Sequence, residues 1–326
     1  MTDRTLPAPR DPDPDDPAEP AALVLPAVGE PPLNEREPWL ERHDIVDALS
    51  IPGAETPLYL TADGVAVTTT GIGKSDAATT TAALLAAPGV DLDAAYVVTA
   101  GIGGAPPDAA ALGSVVVADA VVDWDRKHRW DRSASGTGDP SETIDASDDR
   151  PIDLLNYRPR DYVWHIDDRL LEDGIAAARE VDLREDPLAR EYQGEYPTAP
   201  DAGPIVTTGT TVCGDEFWHG PRYAREVEWL CDQYDAGPYA TTQMEDAATA
   251  TALERFGLLD RYLSVRAIAN YDRSPPGESV EESFDGTEAS LALAVDNAER
   301  VGSAIVEELV ATDPIGIRAD SSEPPV

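Results

Sequence analysis

The 326-residue chain is poor in the residues that bind metals or form disulfide bonds. It contains two cysteines, Cys213 and Cys231, and four histidines that are scattered along the sequence. Two cysteines are too few for a disulfide framework, and neither has a second cysteine or a histidine at metal-ligand spacing. The sequence therefore predicts no structural zinc and no metal ligands among its site residues.

Lysine is equally scarce. Lys74 and Lys127 are the only lysines among 24 basic residues, against 63 acidic residues, and the net charge is −39. At near-molar salt the Debye length falls to about 3 Å, so a dense acidic surface stays hydrated without strong self-repulsion. The composition therefore predicts a halophilic protein. Because no basic stripe is present to neutralise phosphates, we expect no nucleic-acid partner.

Long apolar runs are missing too. No segment approaches the roughly 20 apolar residues that span a bilayer, so we expect no membrane span. The N-terminus lacks the apolar core of a signal peptide, which favours a cytoplasmic protein. Residues 1–20 are acidic and proline-rich and predict a disordered tail, because they bury too little to offset the entropy of ordering. Residues 312–326 predict a second, flexible tail.

Between these tails, strand-like apolar runs alternate with segments of helical periodicity, and no linker or internal repeat divides them. Residues 58–61 and 65–70 predict a β-hairpin, because Asp63-Gly64 suits a tight turn. The polar segment 124–160 predicts an insertion or long loop, a candidate lid. Residues 183–204 predict a loop. Further strands are expected over 21–26, 96–100, 113–123, 205–212 and 262–269, and helices over 34–49, 76–85, 161–181, 222–233 and 287–309. The alternation predicts one α/β domain over residues 21–311, with helices on both faces of the sheet.

Two of the predicted strands end in glycine-rich loops. The first loop, residues 71–75, precedes a helix, and the second covers residues 101–104. A loop of this kind is either a tight turn or a place where backbone N–H groups face an anion or a polar substrate. Neither loop has the spacing of a Walker loop, and the first lacks the third glycine of a dinucleotide fingerprint. In open α/β sheets ligands bind at the carboxyl ends of strands, which favours a shared site.

Two further stretches carry candidate site residues. Phe217 and Trp218 follow the strand 205–212 and are either core residues or a stacking platform for a flat ring. Glu245 lies between Met244 and a run of small residues at the predicted start of a helix. A carboxylate there can accept two hydrogen bonds from neighbouring hydroxyls, as on a sugar. Most of the chain's acidic residues are simply solvated, so the position alone does not assign this role.

In this order, six short motifs resemble those of the purine nucleoside permease family, within the nucleoside phosphorylase and nucleosidase superfamily. The motifs are 70–78 (TGIGKSDAA), 100–104 (AGIGG), 113–119 (GSVVVAD), 213–217 (CGDEF), 243–248 (QMEDAA) and 265–271 (VRAIANY). Each motif is short, but six in order over most of the chain make a specific signal. The resemblance implies a three-layer α/β/α sandwich around a mixed, twisted, partly barrel-like sheet. It also implies a purine nucleoside as substrate and a homo-oligomer.

The same resemblance assigns roles to individual residues. It places Gly103 and Gly104 beside the sugar and base and stacks Phe217 on the purine. It has Met244 and Glu245 hold the ribose, with Glu245 accepting from the 2′ and 3′ hydroxyls. The remaining residues expected to bind substrate are Gly73, Trp218 and Arg266.

The chain departs from the superfamily pattern at two places. Asn270 stands where nucleosidases keep an aspartate that protonates the leaving base, and an asparagine cannot deliver a proton. It can donate a hydrogen bond to the developing charge, and Asp272 is a possible substitute acid. Thr99 and Ile102 stand where hexameric phosphorylases keep an arginine and a small hydroxyl residue. Phosphorolysis would then need Lys74, Thr99 or an arginine of another subunit to bind the phosphate.

Two functions follow from these patterns. The first is cleavage of the N-glycosidic bond of purine nucleosides by water or phosphate, with Glu245, Asn270 and Asp272 as the catalytic candidates. No cofactor is expected, although inorganic phosphate is a possible co-substrate. The alternative is a non-catalytic nucleoside-binding protein associated with uptake, and a third option is a scaffold that has lost the site. A chain without a membrane segment cannot itself form a channel.

Overall fold

The computed structural model describes residues 6–131, 151–157 and 161–318. The strands are β1 (Ala22–Leu25), β2 (Gly29–Glu30), β3 (Leu33–Asn34), β4 (Ile45–Leu49), β5 (Leu58–Thr61), β6 (Val65–Val67), β7 (Tyr96–Ala105), β8 (Val115–Asp123), β9 (Lys127–Arg129), β10 (Ile152–Leu154), β11 (Val163–His165), β12 (Val206–Cys213), β13 (Tyr239–Gln243) and β14 (Tyr262–Tyr271). The helices are α1 (Glu37–Arg42), α2 (Gly73–Leu85), α3 (Asp168–Arg179), α4 (Pro187–Gln193), α5 (Pro221–Gln233), α6 (Asp246–Phe256), α7 (Val280–Ser283) and α8 (Glu288–Thr312).

Most strands belong to one mixed sheet that partly closes on itself. Its order is β11-β8-β12-β13-β7-β1-β6-β5-β4, and β14 pairs with both β7 and β8. The pairing of β14 with β7 is parallel and that with β8 is antiparallel. Strands β8, β12, β13, β7 and β14 therefore form a closed, barrel-like ring. Strands β1, β6, β5 and β4 extend from β7 as an open sheet, and β11 pairs with β8 on the other side.

Helices cover the sheet because its central strands are apolar along almost their whole length. β8 and β14 are buried at nearly every position, as expected for strands covered on both faces. Helices α2 and α6 pack together, while α8 packs on β7, β14 and α3. One large apolar cluster unites side chains from β1, β7, β14 and α8. The predicted three-layer α/β fold is confirmed.

Some predicted elements differ in the structure. The helix predicted over 34–49 is only α1, and the end of that segment is β4 at the sheet edge, which exposes Val46 and buries Ala48 and Leu49. The predicted loop 183–204 contains α4, which Asp186 caps through the N–H groups of Leu188 and Ala189. Strand β13 was not predicted, because its sequence Tyr-Ala-Thr-Thr-Gln has little apolar content.

The chain ends are more ordered than predicted. Instead of a disordered tail, residues 6–20 run along the domain: the Arg10 N–H donates to Ala48 O at 3.0 Å and the Ala18 N–H to Gly89 O at 3.0 Å. The Arg10 guanidinium also pairs with Asp47 at 2.6 Å. Prolines restrict the unfolded chain, which lowers the entropy cost of ordering. After α8, Asp313 accepts from Tyr96 Oη at 2.6 Å; the rest of the predicted tail, from residue 319, lies outside the described residues.

The predicted insertion 124–160 also lies largely outside the described residues, so its role as a lid stays a prediction. Its described ends form the antiparallel pair β9 and β10. Trp124, at its start, is fully buried, and Lys127 lies over the Trp124 ring with its Nζ 3.2 Å from the ring centroid.

Candidate functional site

The predicted site residues converge where the closed ring of strands meets the open sheet. Gly73 begins α2, Gly103 and Gly104 lie in β7, and Glu245 follows β13. The loop after β12 brings Phe217, and β14 brings Arg266 and Asn270. Two neighbouring regions result. The first is a buried charged corner around Glu245, called the ribose end after the role that the sequence predicts for it. The second is a cleft lined by Phe217 and Asn270, called the base end for the same reason.

The ribose end is built on the turn between β13 and α6. Gln243 Oε1 accepts from the N–H of Glu245 at 2.7 Å and from that of Asp246 at 3.0 Å, so the Gln243 amide caps α6. Glu245 occupies the N-cap position but makes no side-chain cap bond. Its carboxylate is instead directed across the site, where Oε1 accepts from the Gly73 N–H at 3.0 Å.

Gly73 is required there for a backbone reason. Its φ of +84° lies in the left-handed region, and an added Cβ would sit 2.9 Å from Asp215 Oδ1. This conformation directs the first N–H of α2 at the carboxylate of Glu245. The glycine loop therefore does bind an anion, but the anion is a side chain of the protein itself.

Arg266 holds the other side of the ribose end. Its Nη1 lies 3.3 Å from Glu245 Oε2 and its Nε lies 3.3 Å from Asp246 Oδ2, while Nη2 donates to Asp246 Oδ1. Asp246 Oδ2 also accepts from Ser264 Oγ at 2.5 Å. All of these side chains are buried, so the two carboxylates and the guanidinium form a fixed, water-poor frame.

Burial changes the proton affinity of Glu245. Desolvation raises the pKa of its carboxyl to about 7, against the opposing attraction of Arg266 and the hydrogen bond from Gly73. Burial would also lower the pKa of Arg266, but Asp246 and Glu245 outweigh it and raise that pKa. Glu245 is thus a carboxylate whose charge depends on pH near neutrality.

Glu35 is a site residue that the sequence did not reveal. Its Oε2 accepts from the N–H groups of Ala27 and Val28 at 2.9 and 3.0 Å, and its Oε1 accepts from Ile102 N–H at 2.8 Å. A Cβ on Gly101 would lie 2.5 Å from Glu35 Oε1 and 3.2 Å from Arg266 Nη1, so both groups lie against that glycine. No motif marks Glu35, which belongs to an irregular proline-rich stretch.

Lys74 does not present a free cation to the site. Its Nζ lies 2.8 Å from Asp123 Oδ1 and 2.6 Å from Asp125 Oδ2. Its backbone N–H donates to Asp215 Oδ1 at 2.7 Å. The groups that could bind a phosphate at the start of α2 are therefore already engaged by carboxylates.

At the base end, the two predicted aromatic residues have different environments. Phe217 is 57 % exposed and meets Phe284 edge to face, with ring centroids 5.7 Å apart. Trp218 is only 6 % exposed and packs against Trp124 and Tyr239. Phe217 is therefore able to stack on a ring, whereas most of Trp218 lies in the apolar core.

The cleft between these aromatic residues and β14 is narrow. Its volume is about 50 Å³, and its lining comes from β7, from the loop after β12, and from the ends of β13 and β14: Gly104, Gly214, Glu216, Phe217, Trp218, His219, Thr242, Gln243, Met244, Asn270 and Asp272. Ligand pockets usually measure roughly 300 Å³ or more, so this cleft is too small for a nucleoside unless it widens. A larger cavity of about 500 Å³ lies elsewhere, beside Asp108, Glu228 and Asp232, and contains none of the predicted site residues.

The residues near the predicted proton-donor position are mostly engaged. Asn270 Nδ2 donates to the backbone oxygen of Phe284 at 2.5 Å. Asp272 accepts from Arg273 Nε at 2.6 Å and Nη2 at 3.2 Å, and burial raises its pKa to about 6. His219 Nε2 lies 3.2 Å from Ser283 Oγ, and burial together with Arg273 lowers the pKa of its imidazole.

Gly103 and Gly104 have a structural explanation. A Cβ on Gly103 would lie 2.5 Å from Thr241 Oγ1, and one on Gly104 would lie 3.1 Å from Asn270 Oδ1. These glycines therefore let β13 and β14 approach β7 closely. Only Gly104 also lines the cleft.

Across residues 6–131, 151–157 and 161–318, no cluster of three or more His, Cys, Asp or Glu side chains is arranged to hold a metal ion. In the same parts of the chain, each helix is too short or too polar to cross a bilayer.

Comparison with known proteins gives a family and a fold. The model of the purine nucleoside permease family matches residues 23–313. A probable purine nucleoside permease of Schizosaccharomyces pombe is 28% identical over 261 residues, which are 74% of each chain. The purine nucleoside permease of Candida albicans is 26% identical over 297 residues, covering 85% of this chain and 72% of the relative.

Similar solved structures include nucleosidases and a hydrolase. A 5′-methylthioadenosine/S-adenosylhomocysteine nucleosidase from Neisseria meningitidis superposes with a TM-score of 0.56 at 19% identity, covering 89% of this chain and 99% of its own. Futalosine hydrolase of Helicobacter pylori gives a TM-score of 0.57 at 20% identity, covering 88% and 97%. These similarities show that the chain shares the fold of these proteins. By sequence, the chain belongs to the purine nucleoside permease family.

Proposed function

We propose that this protein hydrolyses the N-glycosidic bond of purine nucleosides. The observation that carries the proposal is the buried Glu245 carboxylate, held by Gly73 N–H and Arg266 beside a cleft with an aromatic mouth. Two hydroxyls of a ribose can donate to such a carboxylate, and a purine can stack on Phe217. Met244 lines the same cleft next to Glu245, where it would contact the sugar.

Water is the acceptor that the local charges favour. A phosphate at the start of α2 would meet Asp123, Asp125 and Asp215, which already bind Lys74 through its side chain or its backbone N–H. Arg266 is likewise committed to Asp246 and Glu245. A dianion placed among these carboxylates would be repelled, whereas a neutral water molecule would not.

Glu35 is the group we assign to orient that water. It lies against Gly101 together with Arg266 Nη1, and its negative charge is stabilised by three backbone N–H groups. Each carboxylate oxygen has two lone pairs, so Glu35 can accept a hydrogen of a water molecule in addition to the backbone N–H groups. As positive charge develops on the ribose, Glu35 and Glu245 would also stabilise it electrostatically.

The second candidate function is nucleoside binding without turnover, in support of uptake. It is favoured by the names of the permease relatives and by the engaged state of Asn270 and Asp272. On this alternative Glu245 still binds the ribose, but no group protonates the base. Homo-oligomerisation and a cytoplasmic location stay predictions under both candidates.

Base release separates the two functions. The wild-type protein and Glu245→Gln are incubated in high salt with adenosine, inosine and guanosine, and free base is measured by chromatography. The proposal predicts catalytic release by the wild type and a large loss in the variant. Tight binding of nucleosides without any release by the wild type would support the uptake alternative instead.

A further inference from the structure

Cleavage of a nucleoside builds negative charge on the leaving purine. The two residues expected to stabilise or protonate it, Asn270 and Asp272, are poorly placed to do so. The amide of Asn270 donates to the Phe284 carbonyl and has no acidic proton. The carboxylate of Asp272 is inaccessible and is paired with Arg273 through two hydrogen bonds. Neither side chain is free to transfer a proton to a base in the cleft.

His219 lines the same wall of the cleft and differs from both. Its Nε2 lies 3.2 Å from Ser283 Oγ and 3.5 Å from Ser274 Oγ. Its Nδ1 is buried and has no hydrogen-bond partner within the described parts of the chain. Hydroxyls therefore hold one edge of the imidazole, while its other nitrogen is engaged by no protein group that the structure describes.

The serines can support a protonated ring. Ser283 Oγ lies 3.1 Å from the Ser279 carbonyl oxygen and can donate its proton there. The lone pairs of Ser283 Oγ can then accept from an Nε2–H of His219. Ser274 Oγ lies 2.9 Å from Ser283 Oγ and belongs to the same hydrogen-bonded cluster. The Gly220 N–H donates to Asp272 O at 2.7 Å, which fixes the His219 loop against the end of β14.

We propose that His219 is the general acid that protonates the leaving purine, in the role that Asn270 cannot perform. This inference rests on the proposed hydrolysis. The Nδ1 proton passes to a ring nitrogen of the base as the C1′–N9 bond breaks, and the bonding electron pair leaves with the purine. Water adds to C1′ and loses its proton through Glu35 to solvent, and His219 regains a proton from solvent. The products are ribose and the neutral base.

The test compares leaving groups that need a proton with leaving groups that do not. Wild type, His219→Ala and His219→Gln are assayed with inosine, which needs base protonation, and with p-nitrophenyl β-D-riboside and 7-methylguanosine, which do not. His165→Ala is the control, because His165 is exposed on β11, outside the site. Asp272→Asn is assayed with the same substrates as the rival acid, and thermal unfolding verifies that each variant is folded.

We expect both His219 variants to lose roughly 10²-fold or more in kcat for inosine while changing less than about threefold for the two activated substrates. Equal losses on all substrates, or no loss on any, would overturn the proposal. A selective loss in Asp272→Asn with none in the His219 variants would overturn it too. A wild type that cleaves only the activated substrates would show that no acid is present. A wild type that cleaves none of them would instead overturn the proposed hydrolysis itself.

Discussion

The two ends of the candidate site are built in different ways. At the ribose end Glu245, Asp246 and Arg266 are buried and joined by direct hydrogen bonds, and a backbone N–H of α2 completes the frame. At the base end Phe217 and Phe284 are 57 % and 40 % exposed, and they contact each other over a cleft of about 50 Å³. One end is preorganised, and the other must open to admit a ring.

This contrast predicts different binding properties for the two ends. A buried, fully paired frame costs little reorganisation when a ribose arrives, which favours tight and specific sugar binding. Exposed aromatic rings on loops can rearrange around different bases. We therefore expect strong selectivity for the ribose and weaker discrimination between different purine bases.

The largest effect is expected from Asp246→Asn, which breaks the ribose end from within. Arg266 loses its bidentate carboxylate and keeps only Glu245, whose Oε2 lies 3.3 Å from Nη1, so a buried ion pair is broken and unfolding should become easier by about 3–5 kcal/mol. Urea unfolding in high salt measures the change. Asp260→Asn is the control, because the side chain of Asp260 is 57% exposed in its pair with Arg261. Equal stability of the two variants would contradict the frame.

The second-largest effect is expected from Glu245→Gln, which should weaken nucleoside binding and lower the rate of cleavage. An amide accepts hydroxyl hydrogen bonds more weakly than a carboxylate, so a loss of about 3 kcal/mol, roughly 10²-fold in kcat/KM, is expected for nucleosides. Calorimetric binding of the free purine base should be unchanged, because the base does not reach Glu245. The exposed Glu41, changed to Gln, provides the matched control. If Glu245→Gln weakened the binding of nucleoside and free base equally, the ribose end and the base end would not be functionally distinct.

The pH dependence of binding should also differ between nucleoside and free base. Ribose hydroxyls need ionised Glu245, whose pKa burial raises to about 7, so protonation below that pH removes the acceptor. From pH 8 to pH 6 the ionised fraction falls about tenfold, and nucleoside affinity should fall with it. The measurement is the ratio of nucleoside to free-base Kd at each pH. In Glu245→Gln this ratio should not vary through the same window; a variant that keeps the dependence would assign it to another group.

Phe217→Ala should have the smallest effect. Loss of one stacking partner costs about 0.5–1.5 kcal/mol, at most roughly tenfold in Kd. Nucleoside and free base should weaken equally, unlike the result for Glu245→Gln. Phe256→Ala is the control, because Phe256 is similarly exposed at the end of α6, away from the cleft. A loss confined to nucleosides would place Phe217 at the sugar instead.

Much of the fold could be predicted because it depends on local patterns. The apolar runs of β7, β8 and β14 and the turn at Gly64 are visible in short windows of sequence. Strand β13 could not be found in this way, since its polar residues Thr241 and Gln243 are buried by tertiary packing and not by an apolar pattern. The order of residues 6–20 was missed for a related reason: their partners lie far away in the sequence.

The candidate site was only partly predictable. The motif around Glu245 indicated a sugar-binding carboxylate, and the structure places that carboxylate opposite Gly73 and Arg266. Its partners come from α2 and β14, so no spacing within one element reveals them. The same holds for Glu35, which reaches Ile102 across 67 residues of sequence. Family resemblance named the residues, but only the fold shows which of them are already paired.

The identity of the sugar product tests directly whether the protein hydrolyses purine nucleosides. Wild-type protein is incubated with inosine in high salt, with and without inorganic phosphate, and ribose and ribose 1-phosphate are quantified beside the free base. The account predicts equal amounts of ribose and base at the same rate in both conditions. Formation of ribose 1-phosphate that depends on added phosphate, or no base release in either condition, would contradict it.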